Sequence, residues 1–279
     1  YKNKKTLEAF LNKRKSAQKD QSLLVNKIIN SVRRNGDKAV LKYEKKFSNI
    51  KTKYNRIFFT DKEINDIAKK TDKKIKRAIN LSFNRIKKFH LKQKTISFKF
   101  KDKYKNELSY KYSPIDKVGV YVPGGTASYP STVLMNCIPA IVAGVRNIYL
   151  TTPSLDSKIN PAIIYAAKKC GVKKIYKTGG AHSIAALAYG TKKFVKVDKI
   201  VGPGNAFVAC AKKEVFGDVG IEGMTAGPSE VTIVCDKFSN AEWIASDLIG
   251  QAEHDNLAQC ILISKDQKLL GNVKHEIFK

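Results

Sequence analysis

The segment Asp247-Leu-Ile-Gly-Gln251-Ala-Glu-His254 carries a carboxylate, an amide and an imidazole at spacings of four and three residues. On an α-helix those positions share a face. Ile244, Ala245, Leu248 and Ala252 form a separate apolar stripe at helical spacing. Such a helix would pack along one side and offer oxygen and nitrogen donors along the next. Gln251 and His254 are therefore candidate metal ligands. Two donors do not close a site, because zinc takes four and prefers His, Cys and carboxylates to an amide oxygen. His90 and His275 are candidates in principle, but both lie in charged helical stretches that read as surface. On spacing alone, a metal-binding and a structural His254 both stay open.

Three glycine-bearing turns come next: Pro123-Gly-Gly125, Gly179-Gly180 and Gly202-Pro-Gly-Asn205. Each follows a strand-like run and precedes a helix-like one. Glycine lets backbone approach a ligand closely, and a helix N-terminus offers unpaired N–H groups that suit a pyrophosphate. None is G-x-G-x-x-G or a Walker loop. One such turn is only what any crossover needs, whereas three together make a nucleotide as good a reading as turn chemistry. His182, at the helix start after Gly179-Gly180, suits cofactor contact better than metal binding. Ser229, in Ala226-Gly-Pro-Ser229-Glu230, is a candidate ligand contact, although taken alone the segment reads first as a turn in which Ser bonds its own backbone.

The elements that must position these residues fall into two textures. The first hundred residues read as amphipathic helices. Leu23, Leu24, Ile28, Ile29 and Val32 keep helical spacing up to Asn35-Gly36, and Ala39, Val40 and Tyr43 resume it. Thr60-Asp-Lys-Glu63 has capping-box form and opens a helix expected to run on toward Phe89. Ile96, Phe98 and Phe100 alternate with Ser97, Lys99 and Lys101. An edge strand with wet lysines explains that alternation more simply than a stacking platform for single strands.

From residue 117 strands alternate with helices: strands near 117–122, 147–151, 174–177 and 198–201, then 230–235 and 260–263, with Ser239-Asn-Ala-Glu242 as a cap. The expected class is α/β, with two Rossmann-like parallel-sheet domains and N-terminal helices. Residues 117–230 would form one domain. Residues 1–116 plus 231–279 would form the other, incomplete one.

The chain is 279 residues long and 43% hydrophobic, enough for two cores and too apolar for disorder. It has no run of eighteen apolar residues and no visible signal peptide, so no membrane association is expected. There is no initiator Met, and the last residues read as a helix cut mid-course, so a fragment at both ends is expected. Five scattered cysteines without C-x-x-C point to a reducing, cytoplasmic setting and to thiols used as small buried hydrophobes. The net charge is +29, and residues 1–118 hold 35 Lys+Arg against 11 Asp+Glu. Such an excess can bind nucleic acid. No recognised nucleic-acid module accompanies it, and a solvated lysine-rich surface is the preferred reading.

Taken together, Val118-Gly-Val-Tyr-Val-Pro-Gly-Gly125, Gly179-Gly-Ala-His-Ser-Ile-Ala-Ala-Leu-Ala-Tyr-Gly190, Gly202-Pro-Gly-Asn-Ala206, Ala226-Gly-Pro-Ser-Glu230 and Gln251-Ala-Glu-His-Asp255 closely resemble the histidinol dehydrogenase family. Asn35-Gly-Asp37-Lys-Ala39 also looks like that family's N-terminal region. The resemblance implies zinc- and NAD-dependent oxidation of histidinol to the aldehyde and on to histidine, the last step of histidine biosynthesis. It implies a homodimer. By matching motifs, Tyr121, His182 and Asn205 look like NAD contacts, with His182 standing where the family usually has Gln. Ser229 resembles a substrate contact, and Gln251 and His254 resemble two zinc ligands that also border the substrate. The family's other zinc ligands and its Glu-His proton-transfer pair are expected beyond residue 279. Residues 1–279 alone are thus expected to hold the NAD site and half the metal site without turning over. Two alternatives remain: a related zinc- and NAD-dependent dehydrogenase of another small alcohol, and a basic nucleic-acid-binding protein.

Overall fold

The computed structural model describes residues 21–48, 57–124, 129–154, 159–222, 230–253 and 258–279. Its contacts form two compact units, residues 1–224 and 225–279.

In the first unit, α1 (residues 21–35) and α2 (Asp37–Ser48) meet at Gly36, whose φ of +50° makes the corner. The helix opened by Thr60 is shorter than expected. The capping box is present, but α3 (Asp61–Lys69) stops and α4 (Lys73–Lys92) starts afresh. Asp72 is the cause, since its carboxylate caps α4 by accepting from the N–H groups of Lys74 and Ile75. The alternating stretch forms an antiparallel hairpin of β1 (Phe98–Lys101) and β2 (Glu107–Tyr110), exposed on both faces.

The α/β elements follow in the expected order: β3 (Lys117–Tyr121), α5 (Pro130–Ala143), β4 (Asn147–Thr151), α6 (Pro161–Lys169), β5 (Lys174–Tyr176), α7 (Gly180–Tyr189), β6 (Lys199–Val201) and α8 (Ala206–Glu214). A two-residue strand, β7 (Gly220–Ile221), extends the edge. The sheet is parallel, in the order β5-β4-β3-β6-β7.

Strand periodicity divides the core between the sheet's faces. Val118, Val120 and Leu150 pack with Ile79, Leu134, Ile138 and Ile164 beneath α4, α5 and α6. Tyr121 and Ile200 pack with Val25, Ile28, Val40, Ile184, Leu187 and Val208 from α1, α2, α7 and α8. Fully burying one such Leu or Ile contributes about 2 kcal/mol. Cys137 and Cys170 are buried in the first of these cores, as expected of thiols used as hydrophobes, whereas Cys210, Cys235 and Cys260 are only half-buried.

The second unit pairs β8 (Glu230–Cys235) with β9 (Gln259–Ser264) in parallel, with α9 (Ala241–Ala252) and α10 (Gln267–Ile277) packed on the pair. Ile244, Ala245 and Leu248 of the expected stripe are buried with Leu269 and Val273, while Ala252 is exposed. The cap of α9 is Asn240 rather than Ser239. Asn240 accepts from Glu242 and Trp243, and the Ser239 hydroxyl turns instead to Asp236. Among the described residues, no helix is long and apolar enough to cross a membrane.

Candidate functional site

The strand order places a reversal at the centre of the sheet. The chain builds β3, β4 and β5 outward in one direction, then returns to lay β6 on the other side of β3. Ligands of open α/β sheets bind outside the carboxyl ends of strands at such a reversal. Tyr121 is the last residue of β3, and Gly202 follows β6 directly.

The two turns touch closely. A Cβ on Gly202 would stand 2.1 Å from the Tyr121 carbonyl oxygen, and the backbone there has φ of +102°. Only glycine meets both conditions. A Cβ on Gly204 would strike the Val208 side chain at 2.2 Å, so this turn lies flat on the first turn of α8. Asn205 is the N-cap of α8, its side-chain oxygen accepting from the Val208 N–H at 3.1 Å. Lys212, buried in the last turn of the same helix, donates its ammonium to the Gly202 carbonyl. Burial pushes the Lys212 amine below its ordinary value, against the pull of Glu222.

The third turn joins them through Tyr121. The Gly180 N–H donates to the Tyr121 phenol oxygen at 3.0 Å. Burial pushes that phenol up to about 12, the Gly180 bond opposing and Glu44 reinforcing, so it is neutral at ordinary pH and keeps its own proton to donate. Pro153, after β4, wedges between the turns. Hypothetical Cβ atoms on Gly124 and Gly179 would meet it at 2.8 and 2.2 Å. The carboxyl ends of β3, β4, β5 and β6 thus form one packed rim.

Tyr121, His182 and Asn205 all lie on this rim, so three of the six candidate residues share one end of the sheet. His182 sits near the start of α7 as expected, but its ring is enclosed, 2% exposed. Its Nε2 lies 2.7 Å from the Glu44 carboxylate, and the Tyr43 and Phe47 rings stack on it at 6.3 Å each. Glu44 and Lys212 escaped sequence reasoning, because Glu44 stands among the charges of α2 and Lys212 beside Lys213 and Glu214 at the end of α8, where nothing in the spacing sets either apart.

Gln251 occupies the last turn of α9, half-buried, and Asp247 is exposed one turn earlier. His254 and Ser229 lie outside the described residues. Among the described residues, no three of His, Cys, Asp and Glu gather to hold a metal ion. Of the expected zinc donors the structure describes only Gln251, and one amide oxygen is not a zinc site. A cavity of about 700 Å³ opens on the α5 side of the sheet, lined by Val118, Met135, Ala140, Val201 and Glu222 among others. Tyr121, His182 and Asn205 do not border it.

The family model described as histidinol dehydrogenase matches residues 11–279. The chain is 62% identical to a histidinol dehydrogenase of Pelagibacter ubique over 98% of its own length and 63% of the relative's. It is 46% identical to that of Brucella suis over 96% of its length and 62% of the relative's. Among solved structures, the crystal structure of histidinol dehydrogenase from Elizabethkingia anophelis superposes with a TM-score of 0.79 at 36% identity, covering 91% of this chain and 59% of that one. The chain therefore spans a little under two thirds of the length of these relatives. A family match over residues 11–279, close relatives over nearly the whole chain and an overlapping fold place the chain in the histidinol dehydrogenase family.

Proposed function

We propose that the whole protein oxidises histidinol to the aldehyde and then to histidine, with NAD as hydride acceptor and zinc at the substrate, and that this chain supplies the dinucleotide crevice. The observation that carries the reading is the rim itself: Gly202 closed onto the Tyr121 carbonyl at the sheet's reversal. The glycines let the strand ends and helix starts close on one another at the sheet's reversal, the arrangement at which open α/β sheets take a dinucleotide. NAD would accept hydride from the carbinol carbon. Tyr121 and Asn205 would face it, and His182 would act at the start of α7. The neutral Tyr121 phenol can bind a ribose or phosphate oxygen without adding charge to the crevice.

In the same reading Gln251 and His254 donate to zinc, and Ser229 contacts histidinol. Zinc would act as a template for substrate nitrogens and hydroxyl. Two donors leave the site incomplete, and no step is assigned to it here. The domain organisation proposed for the whole protein is residues 117–230 as one α/β body and residues 1–116 plus 231–279 as part of the other. A cytoplasmic homodimer completes the proposal.

Calorimetric titration of this chain with NAD tests the crevice. Micromolar to millimolar binding is expected, and Tyr121→Phe should weaken it by about 1 kcal/mol through loss of the phenol. A folded chain that shows no heat with NAD removes the reading. Assaying the whole protein with histidinol and with other amino alcohols separates the proposed substrate from that of a related alcohol dehydrogenase.

A further inference from the structure

We propose that Glu44, on a helix outside the α/β sheet, is a positioning residue for the dinucleotide rim, clamping the start of α7 through His182 and Gly179; this rests on the NAD reading above. Glu44 Oε2 takes two bonds, from the His182 ring at 2.7 Å and from the Gly179 N–H at 3.3 Å. The next N–H, of Gly180, goes to the Tyr121 phenol. Two consecutive N–H groups at the start of α7 are thus held, one by α2 and one by the end of β3.

Gly179 is the N-cap of α7 and brings no side chain to cap it. The Glu44 carboxylate occupies the place that an anion takes at a helix N-terminus. Of the three glycine turns that could cradle a phosphate, the one at Gly179-Gly180 therefore already meets an acidic side chain of the protein's own. The hydrogen bond between His182 Nε2 and the Glu44 carboxyl group fixes how the imidazole stands. Tyr43 and Phe47 close over the ring.

The pair is a poor choice for stability alone. Both side chains are almost wholly buried, 3% and 2% exposed. Among the described residues Glu44 Oε1 and His182 Nδ1 have no hydrogen-bond partner. A buried polar pair with unmet atoms is commonly no better than apolar residues of the same volume. What the pair adds is geometry: it ties α2 to the backbone beside Tyr121.

The test titrates NAD into the full chain and its Glu44→Ala, Glu44→Gln and Ile138→Val forms, with a thermal melt of each. Ile138 lies in the core on the sheet's opposite face. Glu44→Ala should bind about tenfold more weakly, the scale on which partners that orient a binding residue act. Glu44→Gln should fall between the two and shift the ¹⁵N resonances of the His182 ring. Ile138→Val should lose stability with no loss of affinity, which separates positioning from general weakening. If the parent binds NAD and Glu44→Ala binds within twofold of it, the positioning role is wrong and the NAD reading stands. If the folded parent binds no NAD, both fall. Should Glu44→Ala not fold, Glu44→Gln decides, and affinity and ring resonances identical to the parent's overturn the role.

Discussion

Tyr121 shows how one residue can join strand, turn and helix. Its phenol is raised to about 12 by burial, as is that of Tyr176, which accepts from the Val195 N–H. In the unfolded chain both would ionise near pH 10. A proton held more tightly in the fold means stability that is complete below pH 10 and lost as pH climbs through 12. Each phenol is worth about 2–3 kcal/mol across that window. Urea midpoints measured from pH 9 to 12 should fall steeply, and Tyr121→Phe should flatten the fall. An unchanged slope would show that the phenol is not desolvated as described. Tyr121, His182 and Asn205 were legible as candidates because glycine turns flank them, and the structure gathers them at one end of the sheet. Their partners were not, because Glu44 lies 138 residues from His182, and no local spacing encodes a contact at that range.

Elements were legible where one period runs unbroken. The strands from Lys117 to Val201 are short apolar runs followed by turn residues, and they fold as such. Where the reading slipped, a side chain competed with the period. Apolar spacing continues across Thr71-Asp72, yet Asp72 caps a new helix there. Ser239 had the right spacing to cap α9, but the neighbouring Asn240 reaches the N–H groups first. β7 has only two residues, too few for any alternation. The first turn of α4 has no acidic residue and begins Lys73-Lys74, so Asp72 alone offsets the helix dipole at that end. Asp72→Ala should cost about 1 kcal/mol, seen as a lower melting temperature. An unaltered melt would mean that packing against α5 and α6, not the cap, sets where α4 begins.

At the scale of the molecule the dominant quantity is the charge of +29, most of it before residue 119. Self-repulsion of that size opposes compactness and is screened by salt. Melting temperature should therefore rise by a few degrees between low and physiological ionic strength, worth about 1–2 kcal/mol. A flat response would mean that counter-charges already neutralise the lysines locally, as Glu107 does for Lys99. Binding to nucleic acid would show the opposite trend, weakening steeply as salt is added.

The bond from α2 to the start of α7 also carries a timetable. During synthesis Glu44 emerges 138 residues ahead of His182. At ribosomal speeds that interval is roughly seven to thirty seconds. The early helices must wait, lysine-rich and unpartnered, until the nascent sheet reaches them. The rim itself closes later still, once Gly202 and Asn205 have followed His182 out, so the helices that brace it exist well before the turns they brace.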